Sequence, residues 1–166
     1  MKIRYINGDI TQTELKHIAQ GVNCQNVMGS GVAKALFTKW PSVKEQYHAY
    51  MNRLNELGRR PQDYLGTPMT EVEVEPGKFV HNLFTQLNYG YDGTRFVNYN
   101  AVVSSLKFIT YKLDTPLAIP KIGCGLAGGN WLFMEQLLHD AFFQYEELEL
   151  WVYDNTARAS GKNDLG

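Results

Sequence analysis

The stretch Leu117-Ala118-Ile119-Pro120-Lys121-Ile122-Gly123-Cys124-Gly125-Leu126-Ala127-Gly128-Gly129 decides the fold. Its first half is apolar enough for a central strand. Its second half packs four glycines into seven residues. Asn130 then stands as an N-cap for a helix carrying Trp131, Met134, Leu137, Leu138, Ala141 and Phe142. A strand that turns through glycines into a helix presents free backbone N–H groups and the positive end of a helix dipole. This is where an α/β protein receives an anion. The same order occurs about 90 residues earlier, where Val22-Asn23-Cys24 leads to Gly29-Ser30-Gly31-Val32-Ala33. Two such loops could close on one phosphate-bearing ligand. The plain alternatives are a tight turn for the first loop and a packing loop for the second.

Strands and helices alternate on both sides of these loops. Ile3 and Tyr5 alternate with Lys2 and Arg4 in an opening strand that ends at Asn7-Gly8-Asp9. Thr11-Gln12-Thr13-Glu14 has capping-box spacing and predicts a short helix. Ile18 to Cys24 reads as the next strand. Val32, Ala33, Leu36, Phe37 and Trp40 predict a helix ended by Pro41. Val43, Tyr47, Tyr50, Leu54 and Leu57 mark a longer one closed by Gly58 and Pro61. Residues 67–74 and 78–85 flank Glu75-Pro76-Gly77 as an antiparallel pair. Residues 88–95 read as a loop, Tyr99 to Ile109 as a helix, and Leu148 to Tyr153 as a last strand. This order predicts one three-layer α/β/α sandwich with a mixed central sheet. Ligands of such sheets bind beyond the strand carboxyl ends, where both loops, Asp9, residues 89–95 and Tyr153 all fall.

The bulk properties narrow the function. A formal charge of −1 and no Lys/Arg run give no broad nucleic-acid footprint. No apolar run reaches membrane-spanning length, and Met1-Lys2-Ile3-Arg4-Tyr5 opens as a strand and not as a signal peptide. Cys24 and Cys124 suggest neither a disulfide framework nor a metal site, so a reduced, cytoplasmic protein without metal or cofactor is the expectation.

Several polar residues are ambiguous by themselves. Asp9 suits an adenine amino group, or an Asx-turn that caps the following helix, the simpler reading. Asn23 and Asn26 can hold ribose hydroxyls or satisfy loop backbone. Tyr153 can stack on a base or line the core. Cys124, beside helix-terminal N–H groups, suits either a lowered pKa or a small buried thiol. His17, His48, His81 and His139 are scattered; only His81 lies on a strand leading toward the crevice. Ser30 has no nucleophile-elbow motif around it.

Together the strings are more specific. Gly8-Asp9-Ile10-Thr11, Val22-Asn23-Cys24-Gln25-Asn26, Gly29-Ser30-Gly31-Val32-Ala33, Asn82-Leu83-Phe84-Thr85-Gln86 and the stretch from Ile119 to Gly129 resemble a macro domain. The resemblance is to the branch that includes ADP-ribose 1″-phosphate phosphatases and terminal ADP-ribose glycohydrolases. It covers residues 1 to about 155, implying a macro domain over 1–156 and a polar tail over 157–166. It implies that Asp9 binds the adenine amino group with the Ile10 backbone beside it. Gly29, Ser30, Gly31 and Val32, with Gly123, Cys124, Gly125, Leu126, Ala127 and Gly128, wrap the diphosphate and distal ribose. Asn26 and Asn23 sit near that ribose, and Tyr153 and Asn155 lie on the adenine side.

The catalytic implications are thinner. Glycohydrolases of this branch use a lysine after the Asn-Leu-Phe-like strand and an aspartate in the second glycine loop. Here the chain reads Thr85-Gln86-Leu87 and Leu126-Ala127. Relatives with this loop often carry Asp where Asn130 stands. Asn26 and Asn130 are therefore the catalytic candidates. The expected activity is hydrolysis of ADP-ribose 1″-phosphate to ADP-ribose and phosphate. The alternatives are a non-catalytic ADP-ribose module, or a hydrolase acting on ADP-ribosylated protein or nucleic acid.

Overall fold

The computed structural model describes residues 1–154. The expected tail and Asn155 lie outside the described residues. Six strands form one sheet: β1 (Lys2–Asn7), β2 (His17–Asn23), β3 (Val72–Glu75), β4 (Lys78–Gln86), β5 (Leu117–Ile119) and β6 (Glu149–Asp154), in the order β1-β6-β5-β2-β4-β3. All neighbours are parallel except β3, which runs antiparallel to β4. The helices are α1 (Gly31–Lys39), α2 (Ser42–Glu56), α3 (Pro61–Tyr64), α4 (Tyr99–Thr110) and α5 (Trp131–Ala141).

Strand alternation divides the core in two. Ile18, Val80, Phe84 and Ala118 pack under Leu36 of α1, Val43, Tyr47 and Met51 of α2, and Tyr64 of α3. Ala19, Leu83, Leu117, Ile119 and Val152 pack under Val102, Leu106 and Ile109 of α4, and Met134 and Leu138 of α5. The mixed sheet therefore has a helical layer on each face, as the sequence predicts. Parallel strands need such cover on both sides.

Several details depart from the sequence reading. The strand expected over 67–74 spans only Val72–Glu75, and Pro61, expected to close α2, opens α3. No helix starts at Thr11. A single 3-10 turn, Ile10–Gln12, forms instead, with Asp9 as its cap. The shorter Asx geometry at Gly8-Asp9 overrides the capping-box spacing. Strand β5 pairs only over Leu117–Ile119, because Pro120 has no N–H to extend a ladder. Leu57, placed on the buried face of α2, is 68% exposed at its C-cap, and Met51 takes a core position instead. Among the described residues no helix is long and apolar enough to cross a membrane.

Candidate crevice between two glycine loops

Strands β2 and β5 are hydrogen-bonded neighbours, so the two glycine loops emerge side by side from their carboxyl ends. The loop after β1 carries Asp9, and β6, between β1 and β5, ends in Tyr153 and Asp154. These residues are brought to one end of the sheet.

The first loop is held from below. Asn23 Nδ2 donates to the Val27 carbonyl at 2.8 Å, and Asn23 Oδ1 accepts from Gln25 N–H at 2.9 Å. The Tyr47 hydroxyl donates to the Asn23 carbonyl at 2.8 Å, and the Tyr64 hydroxyl to the Cys24 carbonyl at 3.3 Å. Asn23 thus satisfies loop backbone. Asn26 has a left-handed backbone, φ 63°, and its amide meets His48 and Asn52 of α2. Ser30 occupies the α1 N-cap without a side-chain cap bond. The N–H groups of Gly31, Val32 and Ala33 have no acceptor among the described residues. A Cβ added to Gly29 or Gly31 would touch nothing within 4 Å.

The second loop is seated on residues 94–97. The Ala127 carbonyl accepts from Phe96 N–H at 2.7 Å and from Val97 N–H at 3.2 Å. Gly128 N–H donates to the Gly125 carbonyl and Gly129 N–H to the Gly123 carbonyl. That leaves the N–H groups of Gly125, Leu126 and Ala127 without an acceptor among the described residues. A Cβ on Gly125 would meet open space. Two sets of three unengaged donors thus stand on neighbouring strand ends, one set on a helix N-terminus. This is the geometry of an oxyanion or diphosphate cradle.

The remaining candidates divide by what already engages them. Asp9 Oδ1 accepts from Thr11 N–H at 2.9 Å and from the Thr11 hydroxyl at 2.8 Å. Its second oxygen accepts nothing from the described residues. The Tyr153 hydroxyl bonds Thr13 at 2.6 Å, and its ring packs against the core under α1 and α2. Asn130 caps α5, its Oδ1 accepting from Phe133 N–H at 3.0 Å, while its own N–H donates to the Tyr99 hydroxyl at 2.9 Å.

Burial defines two further residues. His81 lies on a strand that leads toward the crevice end, as expected, but not at that end. It is buried on the early half of β4, its Nε2 2.9 Å from Nδ1 of His17 at the start of β2, and burial pushes its pKa down to about 4. Cys124 is no activated thiol: burial pushes it up to about 11, outweighing the nearby Lys121, and pushes Cys24 up to about 12. Both cysteines are free. Among the described residues no group of three or more His, Cys, Asp or Glu could hold a metal ion.

Sequence reasoning missed the supports of the crevice. Tyr47, Tyr64, His48 and Asn52 lie 20–40 residues from the loop they hold. Lys121 pairs with Asp154 at 2.8 Å across the ends of β5 and β6. Lys39 Nζ donates to the Thr11 carbonyl at 2.6 Å, tying the end of α1 to the Asp9 turn. Two-residue glycine motifs carry no signal for such distant partners.

Fold and loops together define a three-layer α/β domain that presents two sets of backbone donors at one end of its sheet. The chain has the fold of a macrodomain and is similar over most of its length to macrodomain proteins. It superposes on a macrodomain protein from Streptomyces coelicolor with a TM-score of 0.72 and 28% identity, covering 92% of this chain and 99% of that one. It is 31% identical over 145 residues to an uncharacterized 17.5 kDa protein of enterobacteria phage T4, covering 83% of this chain and 88% of that one. It is 28% identical over 164 residues to the ADP-ribose 1″-phosphate phosphatase of Scheffersomyces stipitis, covering 82% of this chain and 92% of that one. The DNA ADP-ribosyl glycohydrolase of Mycobacterium tuberculosis is 23% identical over 153 residues, and the chain spans 42% of its length. No family model matches the chain.

Proposed function

We propose that this protein binds ADP-ribose in the crevice and hydrolyses a 1″-linked derivative, ADP-ribose 1″-phosphate, to ADP-ribose and phosphate. The observation that carries the reading is the pair of donor sets, Gly31 to Ala33 and Gly125 to Ala127, unengaged on adjacent strand ends. The diphosphate lies between them, with Gly29, Ser30, Gly123, Cys124 and Gly128 shaping the wall. The adenine amino group donates to the second oxygen of Asp9, beside Ile10, with Tyr153 on that side. Asn26 meets the distal ribose, and Asn23 holds its loop. Water attacks phosphorus and the bond from phosphorus to the 1″ oxygen breaks. Backbone donors stabilise the developing charge. Asn130 keeps an amide N–H able to orient the water, although an amide cannot serve as its base. We place the protein in the cytoplasm, in keeping with its two unpaired thiols.

The relation to a 1″-phosphate phosphatase over nearly its whole length supports phosphate as the group removed from ADP-ribose. A second reading, removal of ADP-ribose from a modified macromolecule, is favoured by the glycohydrolase relatives. The missing lysine at Gln86-Leu87 and the near-neutral charge count against it. A module without turnover is the third.

The test is calorimetric titration with ADP-ribose, followed by phosphate release from ADP-ribose 1″-phosphate. Gly125→Glu places a carboxylate in open space at the cradle. It should weaken ADP-ribose at least about a hundredfold and leave the melting temperature unchanged. Binding without phosphate release selects the module, and no binding rejects all three readings.

A further inference from the structure

Asn26 is the one non-glycine residue with positive φ among the described residues. Left-handed backbone is unfavourable for a residue with a side chain, asparagine tolerating it best, and such outliers gather at functional sites. Its side chain is engaged from α2. Asn26 Oδ1 lies 2.6 Å from His48 Nδ1, and Asn26 Nδ2 donates to Asn52 Oδ1 at 3.1 Å. His48 and Asn52 are one helical turn apart, on one face of α2. Neither side chain makes another hydrogen bond among the described residues. Packing gives little reason for them, since His48 is half-buried beside the Tyr47 ring and Asn52 is exposed.

We propose that His48 and Asn52 are positioning residues that fix the orientation of the Asn26 amide toward the distal ribose. The inference rests on the ADP-ribose reading of the crevice. An amide offers two N–H donors and two lone pairs. His48 takes one lone pair and Asn52 one N–H, so one donor and one acceptor remain, matching the two hydroxyls of a ribose. Without these partners the amide can present oxygen or nitrogen at either point and must be ordered when ligand arrives. His48 acts through its Nδ1–H, which the acceptor Asn26 Oδ1 selects in the neutral ring and which the charged ring also carries. Desolvation, with Lys44 as the charged group that acts on it, lowers the pKa of the ring from its ordinary value. The contribution of His48 is therefore the same at pH 6 and pH 8, unlike that of an imidazolium touching the diphosphate.

The experiment is an ADP-ribose titration of the wild type, His48→Ala, Asn52→Ala, Asn26→Gly and the Asn26→Gly/His48→Ala double variant, at pH 6 and pH 8. Glycine keeps the left-handed backbone and removes only the amide. His48→Ala is expected to weaken binding about five- to tenfold, and Asn52→Ala about two- to threefold. In the Asn26→Gly background, His48→Ala should change affinity by less than about twofold. The proposal is overturned if His48→Ala binds like the wild type, if it has the same effect with and without the Asn26 amide, or if its effect grows toward acid. A ligand-free arm follows the Asn26 side-chain amide resonance by NMR. It should shift in His48→Ala and in Asn52→Ala, and an unmoved resonance overturns the clamp. If the wild type does not bind ADP-ribose, the functional reading falls, and the clamp stands or falls on that resonance.

Discussion

The two glycine loops flank one crevice and look alike in composition, but their glycines answer different demands. Around Gly29 and Gly31 an added Cβ meets nothing. In the second loop it would lie 2.2 Å from Val97 Cγ2 at Gly123, 2.7 Å from the Thr94 carbonyl at Gly128, and 2.6 Å from the Gly123 carbonyl at Gly129. Only Gly125 there faces open space. The first loop keeps glycine where the backbone faces open space. The second keeps three glycines so that the loop can sit on residues 94–97, and one that faces open space. A glycine-rich loop is thus not evidence of a ligand at each of its positions.

Substitutions can break this contrast. Gly123→Ala combines a positive φ of 74° with overlap on Val97. It should lower stability by about 3–4 kcal/mol and melting temperature by about 10 °C. A melting point within a few degrees of the wild type would remove the distinction between the loops. Acid offers a control that weakens the fold far from both. His81 has a folded-state pKa of about 4 against an ordinary 6.5, so the unfolded chain binds the proton more readily. Its contribution is intact above about pH 6.5 and is lost as pH falls through 4, about 3 kcal/mol at most. Urea midpoints should therefore fall between pH 7 and pH 4.5, and His81→Asn should flatten that slope. Gly31→Ala carries the strain of φ 63° without a clash and should lower stability by about 1 kcal/mol. Gly29→Ala, with neither, should leave stability within about 0.5 kcal/mol and show its effect only in ADP-ribose titration.

Much of the fold was legible, because each strand-loop-helix unit writes its own boundary residues. Asn130 caps α5 through Phe133, and Pro41 marks the break between α1 and α2, as local spacing predicts. Local spacing also misled at Thr11, where Asp9 competes for the same donors from two residues upstream. The position of His81 along its strand was hidden for another reason. Pattern identifies a strand, but how far a residue lies from the strand end depends on where pairing begins, here at Lys78. The crevice was legible as two loops and not as a supported structure. Glycine spacing cannot report that Val97 occupies the space beside Gly123, nor that α2 reaches Asn23 and Asn26. Those contacts exist only once distant segments dock.

The Ala127 carbonyl, shared by the N–H groups of Phe96 and Val97, also has a consequence for folding. The first loop is held by partners as far along the chain as Gln86 and Leu87, and the second by residues 94–97. Neither wall forms by local closure, and each takes its shape only once distant segments dock. Both sides of the crevice are then set late in folding. A ligand spanning both acts as a latch formed after the rate-limiting step, so it should slow unfolding far more than it speeds folding.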